Sequence, residues 1–356
     1  MKDVIVVGGG AIGLFCAVRL RLGGARVWML DSGPEHQTYY TPIASAAAAG
    51  MLAPVTEAQS AHERVALESF ALWKEFRAGA EWADGVRFDG AVVVRPSASE
   101  ASAFAANASR LGHRAISLSA GELRKRTGFR AKIDHALFVE TEGTVDPLRV
   151  LTGLSMQAHA LGVLRLYDTD ASEVTAKSVT THEGKVFEAD AVVLAPGAWA
   201  TEKLMRAAPP LRRVRAGKGM LAAVELEKPL GPNLRAGDFY LAQRREDVVI
   251  GATLEFDRYD RKVDRTKVAE LHRAAERSLP GQVKLTEKAW AGIRPMSPDG
   301  WPMIGPVGEG VLLAAGHSRD GWLMAPITAE IITAYVFGNE IPAGWAALSP
   351  ERFETP

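Results

Sequence analysis

A glycine-rich segment near the start of the chain is the feature that most limits how it can fold. Residues 3–7 read Asp-Val-Ile-Val-Val, a short β-branched run that is typical of a strand buried on both faces. Residues 8–13 then supply a G-x-G-x-x-G motif, and residues 11–22 have the apolar spacing of a helix. Residues 26–30 form a second apolar strand. This order predicts a βαβ unit of a dinucleotide-binding domain.

Each residue of the motif has its own physical role. Gly8 permits the tight turn, Gly10 lets the backbone approach a pyrophosphate, and Gly13 allows the helix to pack closely on the strand. Ala11 and Ile12 begin the helix, where free N–H groups and the helix dipole favour phosphate. The segment is therefore predicted to bind the phosphates of a dinucleotide.

Asp31 adds a ribose contact to this prediction. It ends the second strand, where a carboxylate can accept hydrogen bonds from ribose hydroxyls, and no Arg or Lys follows closely to bind a 2′-phosphate. The motif by itself does not separate FAD from NAD. Its position at the start of the chain and a second glycine-rich turn at residues 314–321, before a further helix, favour FAD. Two turns at opposite ends of the chain suit a long, buried cofactor.

Charge and cysteine content exclude other classes of protein. Lys and Arg number 42 and Asp and Glu number 42, so no basic surplus suggests a nucleic-acid partner. The single cysteine, Cys16, excludes an internal disulfide and a thiolate metal cluster, and it fits a reducing cytoplasm. No metal site, signal peptide or integral membrane segment is expected. The densest basic run, residues 212–218, is interpreted as a solvent-facing strand edge.

The order of the predicted elements indicates two interleaved domains. Helices are expected near residues 60–80, 146–162, 265–279 and 325–337, buried strands near 189–194 and 310–315, and antiparallel strands within 218–256. We predict an α/β fold in which a Rossmann-like FAD-binding domain is interleaved with an α+β substrate domain on a mixed or antiparallel sheet. The FAD-binding domain is expected to comprise residues 1–80, 140–210 and 290–356. The substrate-binding domain is expected to comprise residues 81–139 and 211–289.

The sequence resembles the D-amino-acid oxidase superfamily of flavoproteins, most of all its glycine oxidase and sarcosine oxidase branch. The resemblance is carried by residues 6–13 with Asp31, by residues 44–54 and 189–199, and by residues 292–300 with 316–321. It spans the whole chain, although residues 55–140 match only loosely. It implies an FAD enzyme that oxidises a small amine or amino acid.

The resemblance also implies three residues of the substrate site. Arg294 would hold the substrate carboxylate with its planar guanidinium, Tyr240 would add a hydroxyl to the same carboxylate, and Arg319 would lie near both flavin and substrate. At position 218 this chain has Lys, whereas the family usually has another polar residue there. The resemblance therefore does not determine which residues form the wall of the substrate pocket.

For the cofactor, the motif and the resemblance together imply a set of contacts along the chain. The flavin ring would lie against Gly50 and Met51, with residues 317–323 along its pyrimidine end. No cysteine lies near Gly292, where sarcosine oxidases attach their flavin, so FAD is expected to bind non-covalently. The expected contacts are Gly8, Gly10, Ala11, Ile12, Gly13, Asp31, Ser32, Ala44, Ser45, Ala49, Gly50, Met51, Val174, Gly197, Gly316, His317, Ser318, Arg319, Asp320, Gly321, Trp322 and Leu323.

The expected reaction is the oxidation of glycine, sarcosine, a D-amino acid or a cyclic imino acid, with dioxygen as the acceptor and release of H2O2. One alternative is a dehydrogenase of the same family that passes electrons to a quinone or another carrier. A more distant alternative is an NAD-dependent dehydrogenase, and a third is a flavin-binding protein without turnover. Self-association into a homo-oligomer is a further expectation, since it is common among soluble enzymes.

Overall fold

The computed structural model describes residues 1–55 and 62–353. Its helices are α1 (Ala11–Leu22), α2 (Ala44–Ala47), α3 (Glu63–Arg77), α4 (Ala98–Arg110), α5 (Ala120–Thr127), α6 (Pro147–Ala160), α7 (Glu202–Ala207), α8 (Arg265–Ser278), α9 (Gly321–Phe337) and α10 (Ala343–Ala346). Its first strands are β1 (Asp3–Val7), β2 (Arg26–Leu30), β3 (Met51–Leu52), β4 (Val86–Arg87), β5 (Ala91–Val94), β6 (Ala115–Ser117), β7 (Ala136–Val139), β8 (Gly143–Val145), β9 (Leu164–Leu166), β10 (Ala171–Val174), β11 (Ser178–Thr181), β12 (Val186–Glu188) and β13 (Ala191–Leu194). The remaining strands are β14 (Arg215–Leu226), β15 (Asn233–Ala236), β16 (Phe239–Gln243), β17 (Val248–Gly251), β18 (Glu255–Phe256), β19 (Val283–Met296), β20 (Met303–Gly308) and β21 (Val311–Ala315).

A six-stranded sheet holds the glycine motif. Its order is β20-β21-β13-β1-β2-β9, and all neighbours are parallel except β20 and β21. Strands β1 and β13 are apolar along nearly their whole length because helices cover one face and a three-stranded sheet lies near the other. The carboxyl ends of β1, β2, β13 and β21 all meet at one edge. Ligands of open parallel sheets bind at such an edge.

A second large sheet is antiparallel for most of its width. Its order is β18-β14-β17-β16-β15-β5-β7-β6, and the long strand β19 pairs with β14. Helix α8 packs on one face through a separate hydrophobic core. Strand β19 runs on to Met296, and Met296 bridges to His317 in the turn after β21. The two sheets are therefore joined close to the edge where β21 ends.

The predicted fold class is confirmed, because a parallel α/β sheet and a mixed, mainly antiparallel sheet alternate along the chain. Helix α6 begins as predicted, with the Asp146 side chain accepting from the Arg149 backbone N–H and Pro147 in the first turn. Helices α4 and α5 lie in the part of the chain where no helix was expected. Helix α9 begins at Gly321, four residues before its predicted start at Ala325.

Over the described ranges, no helix is both long and apolar enough to cross a lipid bilayer. Within the same ranges, no cluster of three or more His, Cys, Asp or Glu side chains has the spacing to hold a metal ion. The predicted helix over residues 60–80 falls partly on residues 56–61, which lie outside the described residues. Its described part is α3.

Candidate functional site: a dinucleotide cleft ending at a buried arginine

The turn after β1 has the close packing that only glycine permits. Gly8 has a φ of +112°, and a Cβ there would lie 2.2 Å from the Ala195 carbonyl oxygen at the end of β13. A Cβ on Gly13 would lie 1.8 Å from the Gly8 carbonyl oxygen. Helix α1 starts directly after this turn and has no acidic side chain in its first turn. The helix N-terminus can therefore approach the phosphates of a dinucleotide without repulsion.

Asp31 lies at the end of β2, beside the glycine turn. Its carboxylate accepts the backbone N–H of Gly9 and, at 2.6 Å, the backbone N–H of Gly33. Burial raises the pKa of Asp31, although both backbone hydrogen bonds act in the opposite direction. A carboxylate has about four acceptor positions, so each oxygen can still accept from a ribose hydroxyl. The geometry fits the predicted ribose contact.

The short helix α2 closes the cleft from a second side. Ser45 accepts the Ala11 backbone N–H on its hydroxyl at 3.0 Å, and its carbonyl accepts from the Trp322 indole at 3.1 Å. The Ala47 carbonyl accepts from the Trp290 indole of β19 at 2.8 Å. The alanine-rich segment that contains Ser45 is thus held to both helix α1 and the second sheet by hydrogen bonds.

The second glycine-rich turn carries His317 into the cleft wall. The Thr328 hydroxyl donates to the Met324 carbonyl at 2.7 Å, so its oxygen accepts the Nε2–H of His317 at 3.0 Å. This leaves Nδ1 of His317 as the unprotonated nitrogen. Burial lowers the pKa of His317 to about 3, so the ring is neutral at physiological pH. His317 therefore supplies no charge at this end of the cleft.

Arg294 on β19 and Tyr240 on β16 meet at the far end of the cleft. The Arg294 guanidinium lies close enough to the Tyr240 hydroxyl for each to affect the other's pKa, and it donates to the Thr253 carbonyl at 3.3 Å. Burial lowers the pKa of Arg294 and raises the pKa of Tyr240, but a guanidinium keeps its charge in proteins. Of the described residues, none places a carboxylate in a salt bridge with Arg294. The guanidinium is therefore a partly buried cation, and no anionic partner for it lies among the described residues.

Two glycines make room for this pair. A Cβ on Gly219 of β14 would lie 2.1 Å from Arg294 Nη1, and a Cβ on Gly251 of β17 would lie 2.4 Å from the Tyr240 hydroxyl. Gly219 pairs with Gly292 on β19, and Gly251 pairs with Tyr240 itself. Both side chains can therefore lie across neighbouring strands and converge. Glycine within a strand often marks such a close approach, and Gly219 and Gly251 are consistent with this.

Arg319 and Asp320 follow His317 in the second turn. The Arg319 side chain is exposed and lines the cleft, and its charge acts on both Arg294 and Tyr240. Burial raises the pKa of Asp320 to about 6, while the charges of Arg235 and Arg319 act to lower it. In the described structure, no carboxylate forms a salt bridge with Arg319. The substrate end of the cleft is therefore positively charged.

These elements enclose one continuous cleft of about 1460 Å³, including the solvent at its mouth. Its lining runs from the glycine turn and Asp31 to Arg294 and Arg319, and this extent suits a long ligand. Its charged lining is segregated, with Asp31 and Asp170 at the end near β2 and Arg294 and Arg319 at the other end. This division fits a dinucleotide whose ribose hydroxyls meet the acids and whose reactive end meets the arginines.

Most of the predicted site residues meet at this cleft, and some do not. Those that line it are Gly8, Gly10, Ala11, Ile12, Asp31, Ser32, Ala44, Ser45, Gly197, Arg294, His317, Ser318, Arg319, Gly321 and Trp322. Those outside its lining are Gly13, Ala49, Gly50, Met51, Val174, Tyr240, Gly316, Asp320 and Leu323. Gly13 and Gly316 shape the two turns, whereas Met51 and Tyr240 pack together just behind the lining.

Val174 is the predicted contact that lies farthest from its expected role. It lies at the end of β10, where it pairs with Val179 and packs against the core under the parallel sheet. The residues before it, 169–171, line the cleft instead. They follow β9, the edge strand next to β2, so the carboxyl-end rule for parallel strands could have indicated them.

The prediction that the basic run at residues 212–218 faces solvent is wrong for Lys218. Arg212, Arg213 and Arg215 are exposed as expected, but Lys218 is only 2% exposed. Its ammonium donates to an Asp260 carboxylate oxygen at 2.6 Å. The alternation of β14 explains the difference, because Gly217 and Gly219 face the cofactor side of the sheet and Lys218 faces the other. Lys218 is therefore not part of the substrate-pocket wall.

The comparisons with known proteins cover nearly the whole chain. The family described as DAO, FAD dependent oxidoreductase, matches residues 3–335. The glycine oxidase of Bacillus licheniformis is 29% identical over 99% of this chain and 98% of its own length. The bifunctional protein ThiO/ThiG of Synechocystis sp. is 28% identical over 99% of this chain, and the chain spans 54% of its length. The crystal structure of glycine oxidase from Geobacillus kaustophilus has a TM-score of 0.85 at 26% identity, with 99% of both chains covered.

These matches agree with the chemistry of the cleft. Its glycine turn, the Asp31 carboxylate and the second turn fit FAD, and the single cysteine, Cys16, is buried in the core of α1 rather than in the cleft lining. FAD is therefore held non-covalently, as predicted. The chain belongs to the DAO family of FAD-dependent oxidoreductases.

Proposed function

We propose that this enzyme oxidises a small α-amino acid or secondary amino acid at the carbon that bears the amine. The observation that carries the proposal is Arg294, a partly buried guanidinium at the end of the FAD cleft that has no carboxylate partner among the described residues. A buried cation is costly unless an anion pairs with it. A substrate carboxylate supplies that anion in a planar, two-oxygen form that a guanidinium fits.

The residues around Arg294 would fix the position of the substrate. Tyr240, which lies beside Arg294, would add a hydroxyl to the same carboxylate, and the Thr253 carbonyl accepts a hydrogen bond from the guanidinium. FAD, when bound, supplies the acceptor for the hydride that leaves the α-carbon. The protein's part is to hold the α-carbon in a reactive orientation and to keep the carboxylate from moving.

The charges of the site favour a substrate whose amine is neutral. Arg294 and Arg319 are cations, and His317 is neutral, so no group of this set attracts an ammonium. Loss of the hydride would leave the α-carbon electron-deficient, and the lone pair of the neutral amine would stabilise it by forming the C=N bond of an iminium. The imine is then hydrolysed by water to the 2-oxo acid and ammonia or a primary amine. No protein base is required for these steps.

The proposal also covers the ranges of the two domains, the full set of site contacts, the electron acceptor, the compartment and the oligomeric state. The residue ranges of the two domains, and the full set of cofactor and substrate contacts beyond the cleft lining, stay predictions. The six-stranded sheet supports placing residues 1–80, 140–210 and 290–356 with FAD, and the larger sheet supports placing 81–139 and 211–289 with the substrate. Dioxygen as the acceptor, the cytoplasm as the compartment and a homo-oligomer as the assembly belong to the same proposal.

The proposed function is tested by mixing the holoenzyme anaerobically with glycine, sarcosine, D-alanine, D-proline and L-proline. Loss of the oxidised-flavin absorbance with one of them supports the proposal and names the substrate class. Rapid return of the absorbance with H2O2 formation on admission of air identifies an oxidase, and slow return identifies a dehydrogenase. A flavoprotein that none of these compounds reduces would contradict the proposal.

A further inference from the structure

A segment with only one short strand, β18, crosses from the larger sheet to the rim of the cofactor cleft. We call residues 253–264 the strap; after the short strand β18 it runs from Asp257 to Asp264 without helix or strand. At its start, the Thr253 carbonyl accepts from Arg294 at 3.3 Å, and the Thr253 hydroxyl accepts from the Met220 backbone N–H at 3.0 Å. The strap therefore begins at Thr253, whose carbonyl accepts a hydrogen bond from the Arg294 guanidinium.

The far part of the strap contacts the parallel-sheet side of the molecule. Arg261 donates to the Tyr40 carbonyl, and the Tyr259 ring lies 6.0 Å from the Trp199 ring. Trp199 and its hydrogen-bond acceptor, the Pro42 carbonyl at 2.5 Å, both line the cleft. The strap thus contacts the cleft at two places, at Arg294 inside and at Trp199 on the rim.

The middle of the strap is held by an ion pair whose lysine is buried and whose carboxylate is partly exposed. Lys218 has a side chain that is 3% exposed and donates to Asp260 at 2.6 Å. Asp260 also accepts from Arg258 at 2.9 Å and from the Lys262 backbone N–H at 3.2 Å. These interactions lower the pKa of Asp260 below its usual range. The Asp260 carboxylate therefore binds two neighbouring strap residues, Arg258 and Lys262, and its ion pair with Lys218 connects the strap to β14.

Lys218 does not line the cleft, so its effect on the site must act through the strap. On β14 it lies between Gly217 and Gly219, and Gly219 leaves room for Arg294. We propose that Lys218 is a positioning residue whose ion pair with Asp260 holds the strap across the rim of the cofactor cleft and keeps the Thr253 carbonyl against Arg294. The part of this inference that concerns Arg294 rests on the proposed function.

The test compares two substitutions on the same pair of strands. Lys218→Met keeps the length and apolar stem of the buried side chain but removes the ammonium. Lys284→Met removes the exposed pair of Lys284 with Glu225, 3.4 Å apart at the other end of β14 and β19, and serves as the matched control. Both substitutions remove one lysine and one ion pair, but only Lys218 is buried and contacts the strap. The difference in burial is controlled by Lys218→Arg, which keeps a cation at the buried position.

Limited trypsin digestion of the FAD-loaded proteins measures how often the strap opens. Arg258, Arg261 and Lys262 are exposed strap sites for trypsin. Cleavage after them is expected to be about tenfold faster in Lys218→Met than in the wild type or Lys284→Met, because local opening becomes more frequent. Release of FAD, followed by the rise in flavin fluorescence, is expected to accelerate in the same variant. Equal cleavage and equal FAD release in all three proteins would overturn the proposal.

A binding measurement distinguishes the effect of the strap on Arg294 from its effect at the rim of the cleft. Acetate carries a carboxylate but no amine, so its binding to the holoenzyme can be titrated by the visible flavin spectrum without turnover. Lys218→Met is expected to weaken acetate binding, whereas the double variant Tyr259→Ala, Arg261→Ala is expected to speed FAD release and leave acetate binding unchanged. Unchanged FAD release in that double variant would contradict the rim contact, even if Lys218→Met failed to fold.

The controls also distinguish this inference from the proposed function. If no amino acid reduces the flavin but Lys218→Met still exposes the strap to trypsin, the proposed function fails and the fastening of the strap stands. If amino acids reduce the wild type and the strap of Lys218→Met behaves as in the control, the positioning role fails alone. Lys218→Arg should restore slow cleavage, because a guanidinium can also donate to Asp260.

Discussion

Arg294 is the residue whose environment says most about the substrate. Desolvating a cation without a paired anion is unfavourable, and among the described residues this guanidinium has a backbone carbonyl as acceptor and the Tyr240 hydroxyl nearby, but no carboxylate. Gly219 and Gly251 leave space for that arrangement at some cost in strand stability, which is consistent with a site maintained for binding rather than for folding.

Replacement of Arg294 by Ala should raise KM for the amino-acid substrate by at least about thirtyfold, which corresponds to about 2 kcal/mol. FAD should remain bound, because the phosphate and ribose contacts lie at the other end of the cleft. Steady-state kinetics and the visible spectrum of the purified variant check both parts. Arg212→Ala, which removes an exposed pair with Glu202, is the control and should behave as wild type. Unaltered KM in Arg294→Ala would refute the carboxylate clamp.

His317 gives a prediction for pH. Its pKa is about 3 in the folded protein and about 6.5 in the unfolded chain, so the unfolded state binds a proton that the folded state excludes. Stability linked to His317 is therefore complete above about pH 6.5 and is lost as the pH falls towards about 3. The loss at about pH 4.5 is about 3 kcal/mol.

His317→Gln removes this proton uptake and keeps an amide that can donate to Thr328. The gap in Tm between wild type and variant should therefore narrow, or reverse, between about pH 7 and about pH 4.5. Thermal unfolding followed by circular dichroism at the two pH values measures it. The exposed His159→Gln variant is the comparison. A gap that widens in acid would show that His317 is not held neutral.

At the scale of single elements, helix α9 shows what local sequence cannot reveal. Pro326 lies inside it, and its missing N–H leaves the Trp322 carbonyl without its intrahelical partner. The Trp73 indole of α3 donates to that carbonyl at 2.9 Å. Ser69, one turn earlier on α3, donates to the Leu323 carbonyl at 2.6 Å and accepts the Ile327 N–H at 3.2 Å. Packing against α3 therefore allows α9 to begin at Gly321, before the proline.

Ser69→Ala should destabilise the protein by about 1–3 kcal/mol, because buried backbone groups beside the proline would lose their partner. Urea unfolding of the variant, with the exposed Ser99→Ala as control, gives the difference in free energy. A loss no greater than that of the control would mean that α9 does not depend on α3 for these hydrogen bonds.

Elements with strong periodicity were predictable from the sequence, and those decided by distant contacts were not. Helices α1, α6 and α8 and the buried strands β1, β2 and β13 follow from apolar spacing and capping residues. Helices α4 and α5 were not predicted; α4 is rich in Ala and Ser and buries only a few of its side chains, and α5 is short and mostly charged. The convergence of Arg294 with Tyr240 depends on strand register and could be inferred only from the family resemblance.

At the scale of the whole molecule, each of the two large sheets contributes the residues of one end of the cleft. The parallel sheet brings the glycine turn, Asp31 and the second turn to one edge, and the larger sheet brings Arg294 and Tyr240 to the opposite end. The hydrogen bonds from Trp290 to Ala47 and from Trp322 to Ser45 hold helix α2 between them. A cofactor bound along the first sheet would therefore face the proposed carboxylate site on the second.

The most direct measurement compares each amino acid with the amine that lacks its carboxylate, using anaerobic reduction of the holoenzyme flavin. Sarcosine with dimethylamine and glycine with methylamine are matched pairs for this purpose. The account predicts loss of the oxidised-flavin absorbance with at least one amino acid of the panel and none with its matched amine. Equal reduction by an amino acid and its matched amine, or a colourless protein that binds no FAD, would contradict it.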